Sequence, residues 1–475
     1  MPGASRKQSF LKIMGVYIAA SWVCLQVVDV LTQNIELPPW VFTFTLTLLA
    51  LGLPVTAIAA YFVRGEDDDA ESTSSGGLLS WGNVGKTGIA LLAVWGVVIT
   101  GWVLQTSKDT ADSERTLVES LDEIRRLAGE YKFGEGFAIA EQLDGEITDD
   151  SVRESMWSVV SRALTIETDP PGATVYRRDY VSDESDWEEL GISPVDVEHF
   201  PLGLSRLRFE LDGYIPRETS DFSGRIAAAD TFVLDTPETM PTGMTRVSGG
   251  TATIQAPGLE QFEALDLMDF FVDIHEVTNR QYKAFVDAGG YSDPACWTEP
   301  FVQGDATLSF EDATRTLVDQ TGRPGPSSWQ VGTYPQGADE LPVGGVSWYE
   351  AAAYACFVGK SLPTVYHWFT AADPFSSNHV VPLSNYSGQG KAPVGQYDGQ
   401  SRDGASDMAG NVREWALNPD GDARYILGGG WNDPEYAFND AVTSPAFDRS
   451  AENGIRLVKY QDDPGLAAAS VTIEK

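Results

Sequence analysis

Three long runs of apolar residues lie near the N-terminus of the 475-residue chain, over residues 11–31, 39–63 and 88–104. A helix that crosses a bilayer needs about 20 such residues, with a lower limit of about 17. The first run lacks an A-x-A-like cleavage site, which argues against a removed signal peptide. The pattern predicts three transmembrane helices in a membrane anchor over residues 1–106. The alternative for the third run is a buried helix of a soluble domain.

Basic residues are distributed unevenly around these runs. Arg6, Lys7 and Lys12 surround the start of the first run, whereas residues 32–38 contain no Lys or Arg. Because cytoplasmic loops are enriched in Lys and Arg, the N-terminus is predicted inside and everything after residue 105 outside. If the third run is not a span, the large C-terminal part is cytoplasmic instead.

The N-terminal block also resembles a two-helix membrane anchor that begins many bacterial signalling proteins. The matching sequences are VVDVL, LPPWV and LALGLP. The resemblance implies only a membrane anchor. The predicted location is the bacterial inner (cytoplasmic) membrane. With the orientation above, its C-terminal part is expected to be periplasmic or extracellular.

The hydrophobic period changes twice after the anchor. Leucines and valines recur at steps of three and four residues over 107–162, which predicts a helical stalk or hairpin. Alternation then takes over in the sequences LTIET and LRFEL, which predicts strands separated by turns at PPG and DG.

Residues 163–236 resemble the PEGA module in three sequences: the turn Pro170-Pro171-Gly172-Ala173, a G-x-S-P motif at 191–194 and D-G-Y at 212–214. The resemblance implies a small all-β sandwich that acts as an envelope adaptor or binding unit and has no known catalytic residues.

From about residue 240 the chain is rich in Trp, Gly and Tyr, and long loops are predicted to dominate. Two helices are nevertheless indicated. One covers 278–290 and begins at a Thr cap, and the other covers 347–360. Ser347 followed by Glu350 forms a capping box, which is typical of a helix start.

Composition narrows the function classes. The formal net charge is -37 and the pI is about 4.3, which argues against nucleic acid as a partner because phosphate binding needs clustered Lys and Arg. There are three cysteines, Cys24, Cys296 and Cys356, too few for a disulfide scaffold. The last two pair only if the fold brings them together.

Ordered motifs in the last part of the chain resemble the formylglycine-generating enzyme, or sulfatase-modifying factor, family. The resemblance covers residues 240–461, with 462–475 as a tail, and implies an α+β fold like that of C-type lectins, with little regular secondary structure. The whole chain is therefore expected to be multidomain. The motifs are FVDIHEVTNRQYKAFV (271–286), LPVGGVSWYEAAAYACFVGKSLPT (341–364), APVGQY (392–397), SDMAGNVREW (406–415), RYILGGGW (424–431) and NGIRLV (453–458).

The oxidase members of that family hold copper with two cysteines after a G-G-S-W/Y motif, because thiolates suit a soft, redox-active metal. Here the corresponding stretch is GGGWNDPEYAFND (428–440), with Asp433 and Phe438 at the cysteine positions. The resemblance therefore implies that no copper is bound and that the catalytic residues are missing. The four histidines show no H-x-x-x-H spacing that would supply another metal.

Calcium is the metal that the resemblance does imply. Asp407, Gly410, Val412 and Glu414 match a calcium site of the family, in which carboxylate and carbonyl oxygens from one tight turn hold the ion. The alternative is that Asp407 caps a turn and Glu414 faces solvent.

A binding surface is expected beside the glycines. Trp and Arg side chains suit a peptide or glycan, although Trp431 and Arg456 also belong to family core motifs. The predicted function is a membrane-anchored envelope protein that binds a peptide, glycan or protein partner. An oxidase with unrecognised ligands is the alternative, and a structural spacer is a third interpretation. The predicted ligand-binding residues are Trp431, Asn432, Asp433, Tyr436, Arg449 and Asn453.

Overall fold

The protein is described by a computed structural model. It describes residues 3–34, 39–62, 105, 115–181, 187–227, 231–257, 259 and 262–460, so the predicted third span at 88–104 lies outside the described residues. The chain forms two compact units, residues 1–122 and residues 123–475.

The first unit contains two long helices, α1 (Gly3–Asn34) and α2 (Pro39–Phe62). The Tyr17 hydroxyl of α1 donates a hydrogen bond of 2.6 Å to the Leu49 carbonyl of α2. Within α1, Phe10–Val30 is the described helix that is long and apolar enough to cross a membrane; α2 offers a shorter apolar stretch. A signal sequence has the same length and composition as this first stretch, so α1 is compatible with either role.

Helices precede the first sheets, as the three- and four-residue period predicts. Residues 115–129 form α3, followed by α4 (Phe133–Asp144) and α5 (Asp150–Val160). The Asp149 carboxylate caps α5 by accepting hydrogen bonds from the Ser151 and Val152 amides. The Trp157 ring on α5 stacks on His199 at 4.2 Å, which joins the helices to the strands that follow.

A small β domain comes next. Three sheets share one apolar core, which includes Ile166, Val175, Phe200 and Phe209, all fully buried. The four-stranded antiparallel sheet has the order β4-β3-β6-β7, β1 pairs with β5, and β2 pairs in parallel with β8. The elements are β1 (Ser161–Ile166), β2 (Thr168–Asp169), β3 (Thr174–Asp179), β4 (Glu188–Ile192), β5 (Val195–Pro201), β6 (Leu204–Glu210), β7 (Arg217–Phe222), α6 (Ser223–Ile226) and β8 (Phe232–Val233).

The last part of the chain mixes short strands, short helices and long connections. Its sheets include a three-stranded one of order β19-β12-β9 and a four-stranded one of order β17-β16-β15-β18. The strands are β9 (Met244–Val247), β10 (Gly250–Ala252), β11 (Leu265–Leu267), β12 (Phe270–Asp273), β13 (Phe301–Gln303), β14 (Ala306–Leu308), β15 (Arg413–Asp420), β16 (Ala423–Leu427), β17 (Val442–Pro445), β18 (Asn453–Gly454) and β19 (Val458–Tyr460). The helices are α7 (Asn279–Asp287), α8 (Phe310–Thr314), α9 (Trp348–Phe357), α10 (Val365–Ala372) and α11 (Ser377–Val380).

Both helices predicted in this part are confirmed. Helix α7 begins after Thr278, whose side chain forms a capping box with Gln281. Helix α9 begins after Ser347 with the predicted capping box to Glu350. Each box satisfies amide donors that a helix start leaves without a partner, so a local sequence signal sufficed to place these two starts.

The fold brings Cys296 and Cys356 together in a disulfide, a pairing that the sequence left open. Their Cα atoms lie 5.4 Å apart, although 60 positions separate them along the chain. Cys296 ends a short 3-10 helix, Pro294–Cys296, and Cys356 lies in the last turn of α9. The bond therefore ties the segment after α7 to α9.

The β domain and the last part of the chain are joined by two ion pairs and a hydrogen bond. Arg217 on β7 contacts Asp403 at 3.3 Å, with both side chains more than nine-tenths buried. Arg225 on α6 donates two hydrogen bonds, of 2.9 and 3.0 Å, to Asp373. The Tyr180 hydroxyl donates to the Gln400 carbonyl at 2.6 Å. These contacts make the β domain part of one packed unit.

Candidate functional site

The glycine-rich loop after β16 is shaped by close packing. Gly428 and Gly429 adopt φ angles of 87° and 69°, a region that side chains disfavour. A Cβ atom on Gly428 would lie 2.8 Å from the Met408 carbonyl oxygen. The Tyr386 hydroxyl donates a hydrogen bond to the Gly428 carbonyl. Gly428 is therefore needed for the close approach of the Met408 backbone, whether or not a ligand binds.

Asp433 closes this loop. Its carboxylate accepts hydrogen bonds from Arg413 Nε at 2.6 Å and Arg413 Nη2 at 2.5 Å, and a third from the Gly430 amide at 2.8 Å. Burial opposes ionisation of Asp433, yet the bonds from Arg413 and Gly430 outweigh it and hold its pKa below the usual value. The first of the two cysteine positions is thus occupied by a carboxylate whose two oxygens both accept hydrogen bonds within the domain.

Phe438 is a core residue. It lies in the 3-10 helix Glu435–Phe438, is fully buried, and its ring centroid is 6.1 Å from that of Trp368. The second cysteine position therefore contributes to packing and offers no polar atom to a metal or a substrate.

A tight turn precedes β15. Asp407 has a φ of 59° and Gly410 a φ of 80°. The Asp407 carboxylate, almost wholly buried, accepts a hydrogen bond of 2.6 Å from the Gly395 amide. A Cβ on Gly410 would lie 2.4 Å from the Asn385 carbonyl oxygen, so this position requires glycine. Burial raises the pKa of Asp407 above its usual value.

Glu414, at the end of the turn, is fully buried, which contradicts the alternative that it faces solvent. One of its oxygens accepts from Arg456 Nε at 2.7 Å and the other from Trp368 Nε1 at 2.6 Å. Burial raises the pKa of Glu414, and Arg456 acts in the opposite direction. The guanidinium thus supplies the positive charge that this buried carboxylate needs.

The family of this part of the chain follows from a comparison with protein-family models. Residues 231–461 match the model described as the sulfatase-modifying factor enzyme 1-like domain. This stretch is a sulfatase-modifying factor-like domain. The expectation from the ordered motifs is confirmed, and the match begins somewhat before the predicted boundary at residue 240.

Curated relatives of the sulfatase-modifying factor-like domain carry several activities. The formylglycine-generating enzyme of Thermomonospora curvata is 31% identical over 157 residues, which are 29% of this chain and 50% of that enzyme. Serine/threonine-protein kinase Pkn1 of Chlamydia trachomatis is 31% identical over 108 residues, 23% of this chain and 15% of the kinase. Hercynine oxygenase of Mycolicibacterium thermoresistibile is 29% identical over 104 residues, 22% of each chain. The chain thus spans half or less of the length of each of these relatives.

Solved structures also align with this chain. CarF is 20% identical, with 47% of this chain and 99% of CarF covered and a TM-score of 0.33. PvdO from Pseudomonas aeruginosa is 15% identical, with 46% and 93% covered and a TM-score of 0.33.

The structure divides the residues predicted to bind a ligand at the sulfatase-modifying factor-like domain into two groups. Asn432 and Tyr436 are exposed and Trp431 is half-buried, so these three form an accessible surface on the glycine-rich loop. Arg449 and Asn453 are largely or wholly buried. Asp433 lies between the groups, with its carboxylate turned to Arg413.

The Arg449 side chain is held by hydrogen bonds within the domain. Its guanidinium donates two bonds of 2.8 Å to Glu350 and others to the carbonyls of Val318 and Gly325. Asn453 donates to Asp448 at 2.9 Å. Both residues hold loops of the sulfatase-modifying factor-like domain together, and little of either is available to a ligand.

Sequence reasoning missed Glu276. This fully buried carboxylate accepts hydrogen bonds from the Val412 amide at 3.0 Å and from Asn411 Nδ2 at 2.7 Å. Burial, followed by repulsion from Asp407, raises its pKa well above the usual value. The motif FVDIHEVTNRQYKAFV contains Glu276 and was the available signal for its importance. The turn that Glu276 supports lies more than 130 positions further along the chain, so the sequence did not reveal the contact.

Proposed function

We propose that the chain is a membrane-anchored protein of the bacterial envelope that binds a peptide, glycan or protein partner outside the cytoplasm, without copper-dependent oxidase activity. The observation that carries this proposal is the state of the two cysteine positions. Asp433 is held by Arg413 and Gly430, and Phe438 is packed in the core. Neither supplies a thiolate, which is the ligand that a copper oxidase site requires.

Further features support the proposed location. Helix α1 contains one apolar stretch long enough to cross a membrane. The Cys296–Cys356 disulfide suits an oxidising compartment such as the periplasm. The β domain, which resembles a PEGA module in its turn sequences, packs against the sulfatase-modifying factor-like domain through Arg217 and Arg225. We therefore propose that the two domains present one continuous binding unit.

Calcium at Asp407, Gly410, Val412 and Glu414 stays a prediction of the family resemblance. The observed donor set does not fit it well, because both Glu414 oxygens accept hydrogen bonds, one from Arg456 and one from Trp368. One Asp407 oxygen is also engaged, by the Gly395 amide. Hard oxygen ligands would therefore have to come mainly from backbone carbonyls of the turn.

Binding at the glycine-rich loop is tested with the full chain in detergent on peptide and glycan arrays. We expect Trp431→Ala combined with Tyr436→Ala to weaken binding at least about tenfold, because exposed aromatic side chains commonly dominate such contacts. The matched control is Val331→Ala, another exposed position, on a different loop of the same domain. Equal binding by the double variant and the control would show that the ligand does not use this loop.

The alternative function, an oxidase with unrecognised ligands, is favoured by the formylglycine-generating and hercynine oxygenase relatives. Elemental mass spectrometry of the purified full chain separates the two proposals. We expect no stoichiometric copper or iron and no oxygen uptake with a thiol-containing peptide. Stoichiometric redox metal together with oxygen consumption would make the oxidase the better proposal.

A further inference from the structure

The Cys296–Cys356 disulfide lies at the surface of the sulfatase-modifying factor-like domain. Cys356, in the last turn of α9, is exposed, and Cys296 is half-buried. A disulfide that solvent can reach is open to attack by an outside thiolate, whereas a buried one is shielded until the domain unfolds. The position of this bond therefore permits thiol–disulfide exchange in the folded chain.

The residues around the bond are apolar and accessible. Phe357 is 43% exposed and Val358 is 37% exposed, and both directly follow Cys356 along the chain. The Phe357 ring also packs on the buried Phe285 ring at a centroid distance of 5.3 Å, which fixes its position. On the other side of the bond, residues 294–295 are exposed and uncharged. We call Phe357, Val358 and residues 294–295 the disulfide rim.

The charge of the chain selects against small anionic thiols. Its formal net charge is -37, and Asp293 and Glu299 are exposed carboxylates on either side of Cys296 along the chain. Glutathione is also net negative at neutral pH, so electrostatic repulsion opposes the approach of its thiolate. The apolar disulfide rim instead favours a larger molecule that covers it. These two features favour a protein dithiol whose own cysteines are surrounded by apolar residues.

The place of Cys356 in α9 determines which sulfur is attacked. The last carbonyls of a helix carry partial negative charge, which disfavours a thiolate there and makes Cys356 the poorer leaving group. Cys356 is also the more exposed of the two cysteines. An incoming thiolate is therefore expected to bond to Cys356 Sγ and to displace Cys296 as the thiolate.

The segment across the bond from α9 has other anchors. The Tyr291 hydroxyl donates a hydrogen bond of 2.5 Å to Glu350 of α9, and Trp297 Nε1 donates one of 2.8 Å to the Gly290 carbonyl. Tyr291 and Trp297 are both buried. Because these contacts do not involve sulfur, reduction frees the short segment between Tyr291 and Trp297 while the rest of the domain stays folded.

We propose that a protein dithiol reduces the Cys296–Cys356 disulfide in the folded chain, attacking Cys356 while it rests on the disulfide rim. First, a partner thiolate bonds to Cys356 Sγ, the Sγ–Sγ bond breaks, and Cys296 leaves as a thiolate and takes up a proton. The second partner thiol then loses its proton and attacks the mixed disulfide. This step forms the partner's own disulfide and releases Cys356, so the partner supplies both electrons. This inference does not depend on ligand binding at the glycine-rich loop.

Reduction of the full chain in detergent, without denaturant, tests the proposal. The free thiol of Cys24 is first blocked with N-ethylmaleimide, and thiols that appear at Cys296 and Cys356 are then alkylated and quantified by peptide mass spectrometry. We expect thioredoxin, a protein dithiol, to reduce the bond at least about tenfold faster than glutathione at equal thiol concentration. Thioredoxin that lacks its second cysteine is expected to remain attached to Cys356.

Phe357→Ser combined with Val358→Ser removes the most apolar part of the disulfide rim. We expect thioredoxin to reduce this variant about tenfold more slowly, because apolar contacts at the centre of an interface carry much of its binding energy. Dithiothreitol, a small dithiol that needs no docking surface, is expected to reduce it at an unchanged rate. The matched control, Val331→Ser combined with Val442→Ser, changes two exposed valines on other elements and is expected to react like the unmodified chain.

Several results would overturn the proposal. Reduction that begins only when denaturant unfolds the domain would show that the bond is purely structural. Equal rates with thioredoxin and glutathione, or equal effects of the two double variants, would remove the role of the disulfide rim. Attachment of the single-cysteine thioredoxin to Cys296 would contradict the assigned direction of attack. The comparison of thioredoxin with glutathione uses the unmodified chain, so misfolding of a variant does not affect it.

Discussion

Replacement of Arg456 by methionine is expected to lower the free energy of unfolding by about 3–5 kcal/mol. Arg456 and Glu414 are both fully buried, and Arg456 Nε donates a bond of 2.7 Å to that carboxylate. Its other nitrogens donate to the carbonyls of Asp273 and Ser406 at 2.7 and 2.8 Å. Methionine keeps much of the side-chain volume. It leaves the buried Glu414 carboxylate and two backbone carbonyls without the donors of Arg456, and the loss of these partners lowers the free energy of unfolding.

Denaturant unfolding of the full chain in detergent, followed by tryptophan fluorescence, measures this effect. Arg280→Met is the matched control, because Arg280 is mostly exposed and pairs with Glu340 at 2.6 Å on the surface. Exposed pairs contribute about 0–1 kcal/mol, so this variant is expected to unfold almost like the unmodified chain. Similar losses in the two variants would show that the Arg456–Glu414 pair is not a principal support of the domain.

Loss of the disulfide is the second large effect. Changing Cys296 and Cys356 together to serine is expected to lower the free energy of unfolding by about 2–5 kcal/mol. The bond closes a loop across 60 positions, so its removal gives the unfolded chain much more freedom. It also releases the 3-10 helix Pro294–Cys296 from α9. The same unfolding measurement, with and without a reductant, reports the change.

Cys24→Ser is the control for this prediction, since Cys24 is a free cysteine in α1 and belongs to the other compact unit. It is expected to leave unfolding of residues 123–475 unchanged. If the double variant and the oxidised chain unfold at the same denaturant concentration, the bond does not stabilise the domain.

Much of the domain order was predictable because its signals are local or repeat over many residues. The capping boxes at Thr278 and Ser347 place two helix starts, since each involves residues three positions apart. The first four residues of LRFEL fall within β6, which ends at Glu210. The six ordered motifs identified the sulfatase-modifying factor-like domain, which the family comparison confirms over residues 231–461.

The site was predicted less completely. The sequence shows that Asp433 and Phe438 are not thiols, because side-chain chemistry follows from residue type. Their environments were not visible: Asp433 meets Arg413, 20 positions away, and Phe438 enters the core beside Trp368. Arg449 was predicted to face a ligand, yet its guanidinium is engaged by Glu350, 99 positions away.

By itself, the sequence determined the features that depend on neighbouring residues: the apolar runs, the helix starts, the strand alternation and the absence of cysteines after Cys356. Only the tertiary structure decided which charges meet, as Arg456 meets Glu414 and Glu276 meets Val412. It also decided the Cys296–Cys356 bond. The physical reason is that hydrogen bonds and ion pairs act over a few ångströms, and chain folding alone determines which distant residues come within that range.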